Sequence, residues 1–270
     1  MDLRHIRLEA RSSVATIILA RPEKRNAMTE AMGDEISRVC ALLRDRREIR
    51  AVVVTGEGSA FSAGGSLEFI QRMTEIPEVA RREAMLRFYH RYLAILDLPM
   101  PTIAAINGHA IGAGMCFATA CDLRVAAATA RMGFTFAKLA LHPGMGATFF
   151  LPRLVGPARA AELLYTGRVI SAEEAAAIGL VNTVCPPETL QERAQTLAEE
   201  IAACGPLAVR RLKRSLHSSP AAADRSDLED ALRREATAQA ADYGTPDLLE
   251  GVRAVRERRK PRFTGETTSA

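Results

Sequence analysis

Two short, continuously apolar runs constrain the fold of this chain more than any other feature. They read AVVVTG at 51–56 and PTIAAIN at 101–107, and a third run, DLRVAA at 122–127, follows them. Strands that are apolar on both faces are typical of parallel sheets covered by helices on each side. Helical patterns separate the runs, and alternating strands and helices favour an α/β fold with parallel strand pairing.

The regions before and after these runs follow other patterns. Residues 3–21 alternate between apolar and polar side chains and predict a β-hairpin, and Thr29 can cap a helix whose apolar residues recur every three or four positions. From Pro157 onward helical patterns dominate, and no linker rich in Gly, Ser and Pro interrupts them. We therefore expect a core at 1–204 and a C-terminal helical region at 205–270.

The composition argues against several classes of protein. The chain has 270 residues, a net charge of +4 and five cysteines without CxxC spacing, which is not typical of nucleic-acid-binding, disulfide-rich or zinc-binding proteins. No apolar run approaches the roughly 20 residues of a membrane span. The first residues lack the apolar core of a secretion signal. We therefore expect a cytoplasmic protein with no metal and no membrane partner.

Two of the strand-like runs lead into turns of small residues. AVVVTG leads into FSAGGS at 61–66, and PTIAAIN leads into GHAIGAG at 108–114, which then begins a helix. Small residues let a ligand approach bare backbone N–H groups, and a helix N-terminus adds partial positive charge. Either turn alone is more often a simple chain reversal, and the spacing does not match the GxGxxG of dinucleotide sites. Two such N–H groups aimed at one point would form an oxyanion hole.

Six segments together resemble the crotonase, or enoyl-CoA hydratase/isomerase, superfamily. They are RPEKRNAMT (21–29), AFSAGGSL (60–67), GHAIGAGMCFATACDLRVA (108–126), KLALHPGMGAT (138–148), YTGRVISAEEAAAIGLVNTV (165–184) and EGVRAVRERRKPRF (250–263). The resemblance implies a crotonase-like α/β spiral of strand–strand–helix units with a C-terminal helical region for trimerisation. It also implies a homotrimer or a dimer of trimers.

The resemblance assigns roles to the two turns and to the nucleotide end of a substrate. It implies that the backbone N–H groups of Gly65 and Ala113 form an oxyanion hole for the thioester oxygen of an acyl-CoA or acyl-carrier substrate. The backbone of Ala63 is similar to the group that recognises the adenine of coenzyme A. Three further residues resemble positions that flank the nucleotide, the last two supplied by a neighbouring subunit: Lys24, Lys260 and Phe263. Coenzyme A enters as part of the substrate, and no separate cofactor is expected.

Both carboxylates that hydratases of this family use are absent. Counting within the motifs puts Cys116 and Phe136 at their positions. Neither a thiol with a pKa of about 8.5 nor a phenyl ring is a general base at neutral pH, so ordinary hydration of an enoyl-CoA is not expected. His142 is a candidate base, or a packed loop residue. Cys116 is a candidate nucleophile if the helix N-terminus lowers its pKa, or a small buried core residue.

Three classes of function remain. The first is an acyl-CoA lyase, isomerase or hydrolase, among which decarboxylation needs the least from a base because loss of CO₂ generates the enolate directly. The second is a non-catalytic acyl-CoA-binding protein. The third is an RNA-binding protein, suggested by the basic segment RAVRERRKPR at 253–262. Aromatic residues make up only 5% of the chain and none interrupts that segment, so nucleic acid is not an expected partner.

Overall fold

A computed structural model describes residues 2–217 and 225–265, with the backbone alone at Arg225. Its strands are short and distributed along the first two thirds of the chain. They are β1 (Ile6–Arg11), β2 (Val14–Leu19), β3 (Ala51–Gly56), β4 (Ala60–Ser62), β5 (Thr102–Ile106), β6 (His109–Ile111), β7 (Leu123–Ala127), β8 (Arg131–Gly133), β9 (Val169–Ser171) and β10 (Thr183–Cys185).

The helices of the described residues lie between these strands and dominate the chain after residue 146. They are α1 (Glu30–Arg44), α2 (Leu67–Thr74), α3 (Glu78–Leu93), α4 (Ala113–Ala120), α5 (Ala147–Val155), α6 (Pro157–Thr166), α7 (Ala172–Ala177), α8 (Leu190–Ala203), α9 (Pro206–His217), α10 (Arg225–Asp242) and α11 (Pro246–Glu257). Helix α8 ends one residue before Cys204. The division into a core at 1–204 and a helical region at 205–270 stays a prediction.

The strands form two sheets, one of six strands and one of four. The larger has the order β1-β2-β3-β5-β7-β10 and the smaller the order β4-β6-β8-β9. The predicted hairpin is confirmed, since Ile6 pairs with Leu19 across antiparallel strands. Strands β2, β3, β5, β7 and β10 are parallel to one another. Every residue of β3 and of β5 is buried, which is the arrangement that their apolar sequences predict.

The alternation between the two sheets explains the spiral. Strands β3, β5 and β7 belong to the larger sheet, and each is followed by a strand of the smaller sheet, β4, β6 or β8, before the next helix. Each turn of the chain therefore adds one strand to each sheet and one helical layer. The α/β class and the strand–strand–helix spiral are confirmed.

A row of aromatic side chains joins the elements around the two glycine turns. Phe69 of α2 stacks on Phe88 of α3 with ring centroids 4.8 Å apart, and Tyr92 follows at 5.0 Å. Phe117 of α4 meets Tyr92 at 5.7 Å and Phe61 of β4 at 6.3 Å. Aromatic pairs at such distances contribute stability beyond their buried area. The row fixes α4 and β4, which carry the two turns, against the same helices.

An ion pair with the buried Lys213 fastens α9 to the strand ends opposite the glycine turns. The Asp122 carboxylate lies 2.8 Å from Lys213 Nζ and 2.8 Å from His217 Nε2, and it accepts bonds from the Thr102 N–H and hydroxyl. Burial opposes ionisation of Asp122, but the bonds from His217 and Lys213 outweigh it and hold its pKa well below the usual range. Asp122 lies just before β7, which begins at Leu123, one residue later than predicted.

Membrane spans and metal clusters are both missing from the residues described. No helix within residues 2–217 and 225–265 is long and apolar enough to cross a bilayer. The same residues contain no group of three or more His, Cys, Asp or Glu side chains able to hold a metal ion.

Candidate active site at two glycine turns

The two glycine turns lie side by side. Strands β4 and β6, which lead into them, are parallel neighbours. Gly64 has a φ of +91°, and a Cβ on it would lie 2.6 Å from the Ile111 oxygen and 3.5 Å from the Ala113 nitrogen. A Cβ on Gly114 would lie 2.6 Å from the Ser62 Cβ. The backbones of the two turns therefore touch, and glycine is required at both contacts because a side chain would separate them.

The two predicted donors carry free N–H groups. Met28 pairs with the residues on either side of Gly65 and leaves the Gly65 N–H unused. The Met28 N–H donates to the Gly64 oxygen at 2.7 Å, and the Met28 oxygen accepts from the Ser66 N–H at 3.0 Å. Ala113 is the first residue of α4, a position whose N–H has no partner inside the helix. Neither N–H donates a hydrogen bond to any residue that the structure describes. Polar hydrogens left free in this way are available to a ligand oxygen.

The surroundings of these donors favour a negatively charged oxygen. Ala113 is 8% exposed, so water competes little for its N–H. A Cβ on Gly65 would meet nothing within 4 Å, so the space beside it is open. The N-terminus of α4 adds partial positive charge at the same place. The arrangement has the elements of an oxyanion hole, although the distance between the two donors and a substrate oxygen stays a prediction.

Alanine substitutions at the two neighbouring glycines are expected to have opposite outcomes. Gly64→Ala would force a β-carbon into a positive φ and against the Ile111 oxygen, which costs about 2 kcal/mol or more in folding free energy. Gly65→Ala meets open space, so we expect it to change stability by less than about 0.5 kcal/mol. Urea denaturation of both variants measures the difference. Equal midpoints would contradict the described contact between the turns.

Cys116 lies in the second turn of α4 and is fully buried. Burial raises the pKa of its thiol well above the ordinary value, and the nearby charge of Glu235 raises it further. The thiol is therefore protonated at neutral pH and cannot act as a nucleophile. Of the two interpretations of Cys116, the structure supports the small buried core residue.

Phe136 faces the second glycine turn. It belongs to a 3-10 turn at Thr135–Leu139 and is 8% exposed. Its Cζ atom lies 3.9 Å from a Cβ placed on Gly112, next to the Ala113 donor. An apolar ring therefore lies beside the second glycine turn, and its correspondence to the second carboxylate of family hydratases stays a prediction.

His142 lies half-buried in the loop that follows this 3-10 turn. Its backbone N–H donates to Asp242 at 2.5 Å, and its Nδ1 is 2.6 Å from the Pro143 oxygen. The Nε2 atom makes no hydrogen bond with the described residues. Since Nδ1 is engaged with a carbonyl, Nε2 is the ring nitrogen that can exchange a proton. Whether that nitrogen reaches a substrate stays a prediction.

Buried side chains of α10 hydrogen-bond to this loop and to the start of α5, which no pattern in the sequence indicated. Glu235 accepts bonds from the Gly146 N–H at 2.7 Å, the Thr148 N–H at 2.8 Å and the Thr148 hydroxyl at 2.5 Å. Burial raises the pKa of Glu235, although these three donors act in the opposite direction. Gln239, one helical turn later, donates to the His142 oxygen at 2.6 Å. Glu235 and Gln239 are ordinary polar residues at helical spacing, and only their burial in the structure distinguishes them.

The residues predicted to flank a nucleotide lie at the surface. Ala63 is exposed, and its N–H donates to the Arg25 oxygen at 2.9 Å. Lys24 ends a 3-10 turn near the start of α2, where the pKa of Glu68 is lowered mainly by a hydrogen bond to its own backbone and further by the charge of Lys24. Ala63 therefore lies in the first glycine turn itself, and Lys24 lies on the adjoining loop.

Helix α11, which leads into the segment with Lys260 and Phe263, packs on its own chain. Arg256 near the end of α11 donates to Gln71 of α2 at 2.6 Å. Gly251 lies against Leu139, since a Cβ on it would be 2.9 Å from the Leu139 Cα. Lys260 lines a cavity of about 700 Å³ between α11 and the tail, and Phe263 is 42% exposed. Contact of these two residues with a neighbouring subunit stays a prediction.

Comparison with known proteins places this geometry in a family. Residues 9–266 match the model of the enoyl-CoA hydratase/isomerase family. The chain is 40% identical over 253 residues to a putative enoyl-CoA hydratase of Thermus thermophilus, covering 93% of this chain and 97% of that protein. It is 35% identical over 264 residues to the crotonyl-CoA hydratase of Syntrophomonas wolfei, covering 97% and 99%.

Solved structures agree with the sequence comparison. The crystal structure of an enoyl-CoA hydratase from Mycobacterium avium subsp. paratuberculosis superimposes with a TM-score of 0.86, at 27% identity, over 97% of this chain and all of that one. The match extends through both glycine turns and the C-terminal helices, since it covers nearly the whole chain. The chain belongs to the enoyl-CoA hydratase/isomerase family, that is, to the crotonase superfamily.

Proposed function

We propose that the protein is an acyl-CoA enzyme that decarboxylates a carboxylated thioester through an enolate. The observation that carries this proposal is the pair of free N–H groups, at Gly65 and Ala113, next to a wall without carboxylates. An oxyanion hole stabilises an enolate however it is generated. A site that has the hole but lacks the bases favours a reaction in which the substrate supplies its own electron pair.

The described groups around the hole do not support ordinary hydration. That reaction needs a base to activate water and an acid to protonate the neighbouring carbon. Cys116 is protonated, and Phe136 has no titratable group. Glu235 is the nearby buried carboxylate, but three donors from the loop at 146–148 occupy it. It is 0% exposed, so it cannot reach a substrate without leaving them.

The proposed step balances without an added reactant other than a proton. In a malonyl-type thioester the bond between the α-carbon and the substrate carboxylate breaks, CO₂ leaves, and the electron pair forms the enolate. In a glutaconyl-type thioester the bond from the γ-carbon to the carboxylate breaks instead, and the pair reaches the thioester oxygen through the double bond as a dienolate. The enolate oxygen accepts hydrogen bonds from Gly65 and Ala113. A proton from solvent then bonds to the α-carbon, and His142 is the candidate that relays it through Nε2.

The coenzyme A part of the substrate is proposed to lie across the first glycine turn. The Ala63 oxygen accepts no hydrogen bond from the described residues, so it can accept one from an adenine amino group. Lys24 lies on the adjoining loop, where its charge favours phosphate. Lys260 and Phe263 are proposed to complete the nucleotide site in a homotrimer or a dimer of trimers.

A panel of thioesters tests the reaction. We expect malonyl-, methylmalonyl- or glutaconyl-type CoA to lose CO₂ in the presence of the protein, as followed by mass spectrometry. Crotonyl-CoA is the matched uncarboxylated control, and we expect it to remain unhydrated. Appreciable gain of water by crotonyl-CoA would show that the exclusion of hydration is mistaken.

Isomerisation is the second candidate, because the free Nε2 of His142 could move a proton between two carbons of an unsaturated acyl group. A shift of the double bond in 3-enoyl-CoA, without loss of CO₂ from the carboxylated substrates, would favour it. Release of free coenzyme A would favour hydrolysis instead. Tight binding without any turnover would favour a non-catalytic acyl-CoA-binding protein.

A further inference from the structure

Ser62 joins the first glycine turn to the loop before α1. It is 0% exposed, at the end of β4. Its hydroxyl donates to the Asn26 oxygen at 2.8 Å and accepts from the Gly64 N–H at 3.2 Å. Its Cβ also lies against Gly114 of α4, where an added Cβ would be 2.6 Å away. One small buried side chain therefore contacts both turns that carry the proposed donors.

Asn26 fixes the other end of this connection. It is 0% exposed and has a φ of +53°. Its Oδ1 accepts from the Arg21 N–H at 2.8 Å, and its Nδ2 donates to the oxygens of Glu57 at 2.9 Å and Ala60 at 2.8 Å. The carbonyl that receives the Ser62 hydroxyl is thus held rigidly by three further hydrogen bonds of the same residue.

The peptide between Gly64 and Gly65 is held directly by Met28 at its carbonyl, and Ser62 holds the N–H of Gly64, which belongs to the preceding peptide. Because a trans peptide is planar, its C=O and N–H point in opposite directions. The Met28 N–H holds the Gly64 oxygen at 2.7 Å, so it also directs the Gly65 N–H away from Met28. Gly64 itself has the conformational freedom of glycine at a φ of +91°. The Ser62 hydroxyl restrains that freedom by binding the Gly64 N–H.

We propose that Ser62 is a positioning residue for the oxyanion hole: through the Gly64 N–H it orients the Gly65 N–H toward the thioester oxygen. This inference rests on the proposed function. Loss of the hydroxyl would leave the Gly64 N–H without its acceptor and the Asn26 oxygen without its donor, so Met28 alone would hold the Gly64–Gly65 peptide. The Gly65 N–H would then make a poorer hydrogen bond, and displacement of a catalytic group by about 1 Å costs about 100-fold in rate.

Two buried serines four residues apart provide a matched comparison. Ser66 caps α2, where its hydroxyl accepts from the Phe69 N–H at 3.1 Å. Ser62→Ala and Ser66→Ala each remove one buried hydroxyl that accepts one backbone N–H. We expect Ser62→Ala alone to lower kcat, by about 10- to 100-fold, with a much smaller change in KM. Ser62→Cys, which keeps a weak hydrogen-bonding group, should give an intermediate rate.

Infrared spectroscopy of a bound thioester separates positioning from general damage. Butyryl-CoA has no carboxylate to lose, so it can be observed bound without turnover. An oxyanion hole should lower the stretching frequency of its ¹³C-labelled thioester carbonyl. We expect this shift to shrink in Ser62→Ala and to persist in Ser66→Ala, while the denaturation midpoints of both variants fall. An unchanged shift in Ser62→Ala, or equal losses of kcat in the two alanine variants, would overturn the role of Ser62. No shift in the unsubstituted protein would instead overturn the oxyanion hole itself, and the proposed function with it.

Discussion

Replacing Ala113 with proline is expected to lower kcat by a factor of about 100 to 1,000, the usual effect of removing one oxyanion donor. Proline has no N–H, so the variant deletes the donor itself. Ala113 is the first residue of α4, the helical position where proline is best tolerated. Gly112 before it has φ +53° and ψ −122°, outside the α region that proline disfavours in its predecessor. The fold should therefore survive.

The control at the same position is Ala113→Gly, which retains the N–H. We expect its kcat to stay within a few-fold of the original value, since glycine costs only about 1 kcal/mol at a helical position. Steady-state kinetics on the carboxylated thioester that the protein decarboxylates, and thermal unfolding of both variants, make the comparison. If Ala113→Pro folds normally and keeps its rate within tenfold, the Ala113 N–H is not an oxyanion donor.

Replacing Asp122 with asparagine is expected to produce the largest loss of stability, about 3 kcal/mol in the free energy of unfolding. The substitution leaves Lys213 buried, at 9% exposure, without its counter-ion. An uncompensated buried charge is far more costly than a missing surface pair. The control is Glu174→Gln, which breaks the half-exposed pair with Arg168 and should cost less than about 1 kcal/mol. Urea denaturation at fixed protein concentration measures both.

A second substitution tests whether the loss comes from the unpaired charge. We expect Asp122→Asn with Lys213→Met to recover much of the stability, because no buried charge remains. The pH dependence has a definite sign. The folded-state pKa of Asp122 lies below its unfolded value of about 3.9, so its contribution is present above about pH 4 and is lost as the pH falls through the folded-state pKa. A loss below 1 kcal/mol in Asp122→Asn, or no recovery in the double variant, would contradict this account.

The parts of the site that could be predicted are those with a local cause. The turns at 61–66 and 108–114 follow apolar strands and contain small residues, so their sequence indicates exposed backbone N–H groups. The absence of carboxylates at Cys116 and Phe136 is equally readable from the motifs. Family membership and the spiral were predicted from six segments and are confirmed by the comparisons.

The groups that could not be predicted act across long stretches of chain. Glu235 holds the loop at 146–148 from nearly 90 residues away, and Ser62 binds Asn26 across 36 residues. Neither residue differs in type or spacing from an ordinary polar residue in a helix or strand. Their hydrogen bonds depend on which helix face and which strand end become buried together, and that is decided by packing.

The sequence by itself therefore determined the α/β class, the family and the two turns, because apolar periodicity and small residues act within a few positions of the chain. Only the tertiary structure decided that Cys116 is a buried, protonated thiol and that α10 supports the loop of His142. The physical reason is that burial and electrostatic environment are properties of the assembled core. A thiol in the first turns of a helix can be activated by the helix dipole or silenced by desolvation, and the packing around it determines which effect is larger.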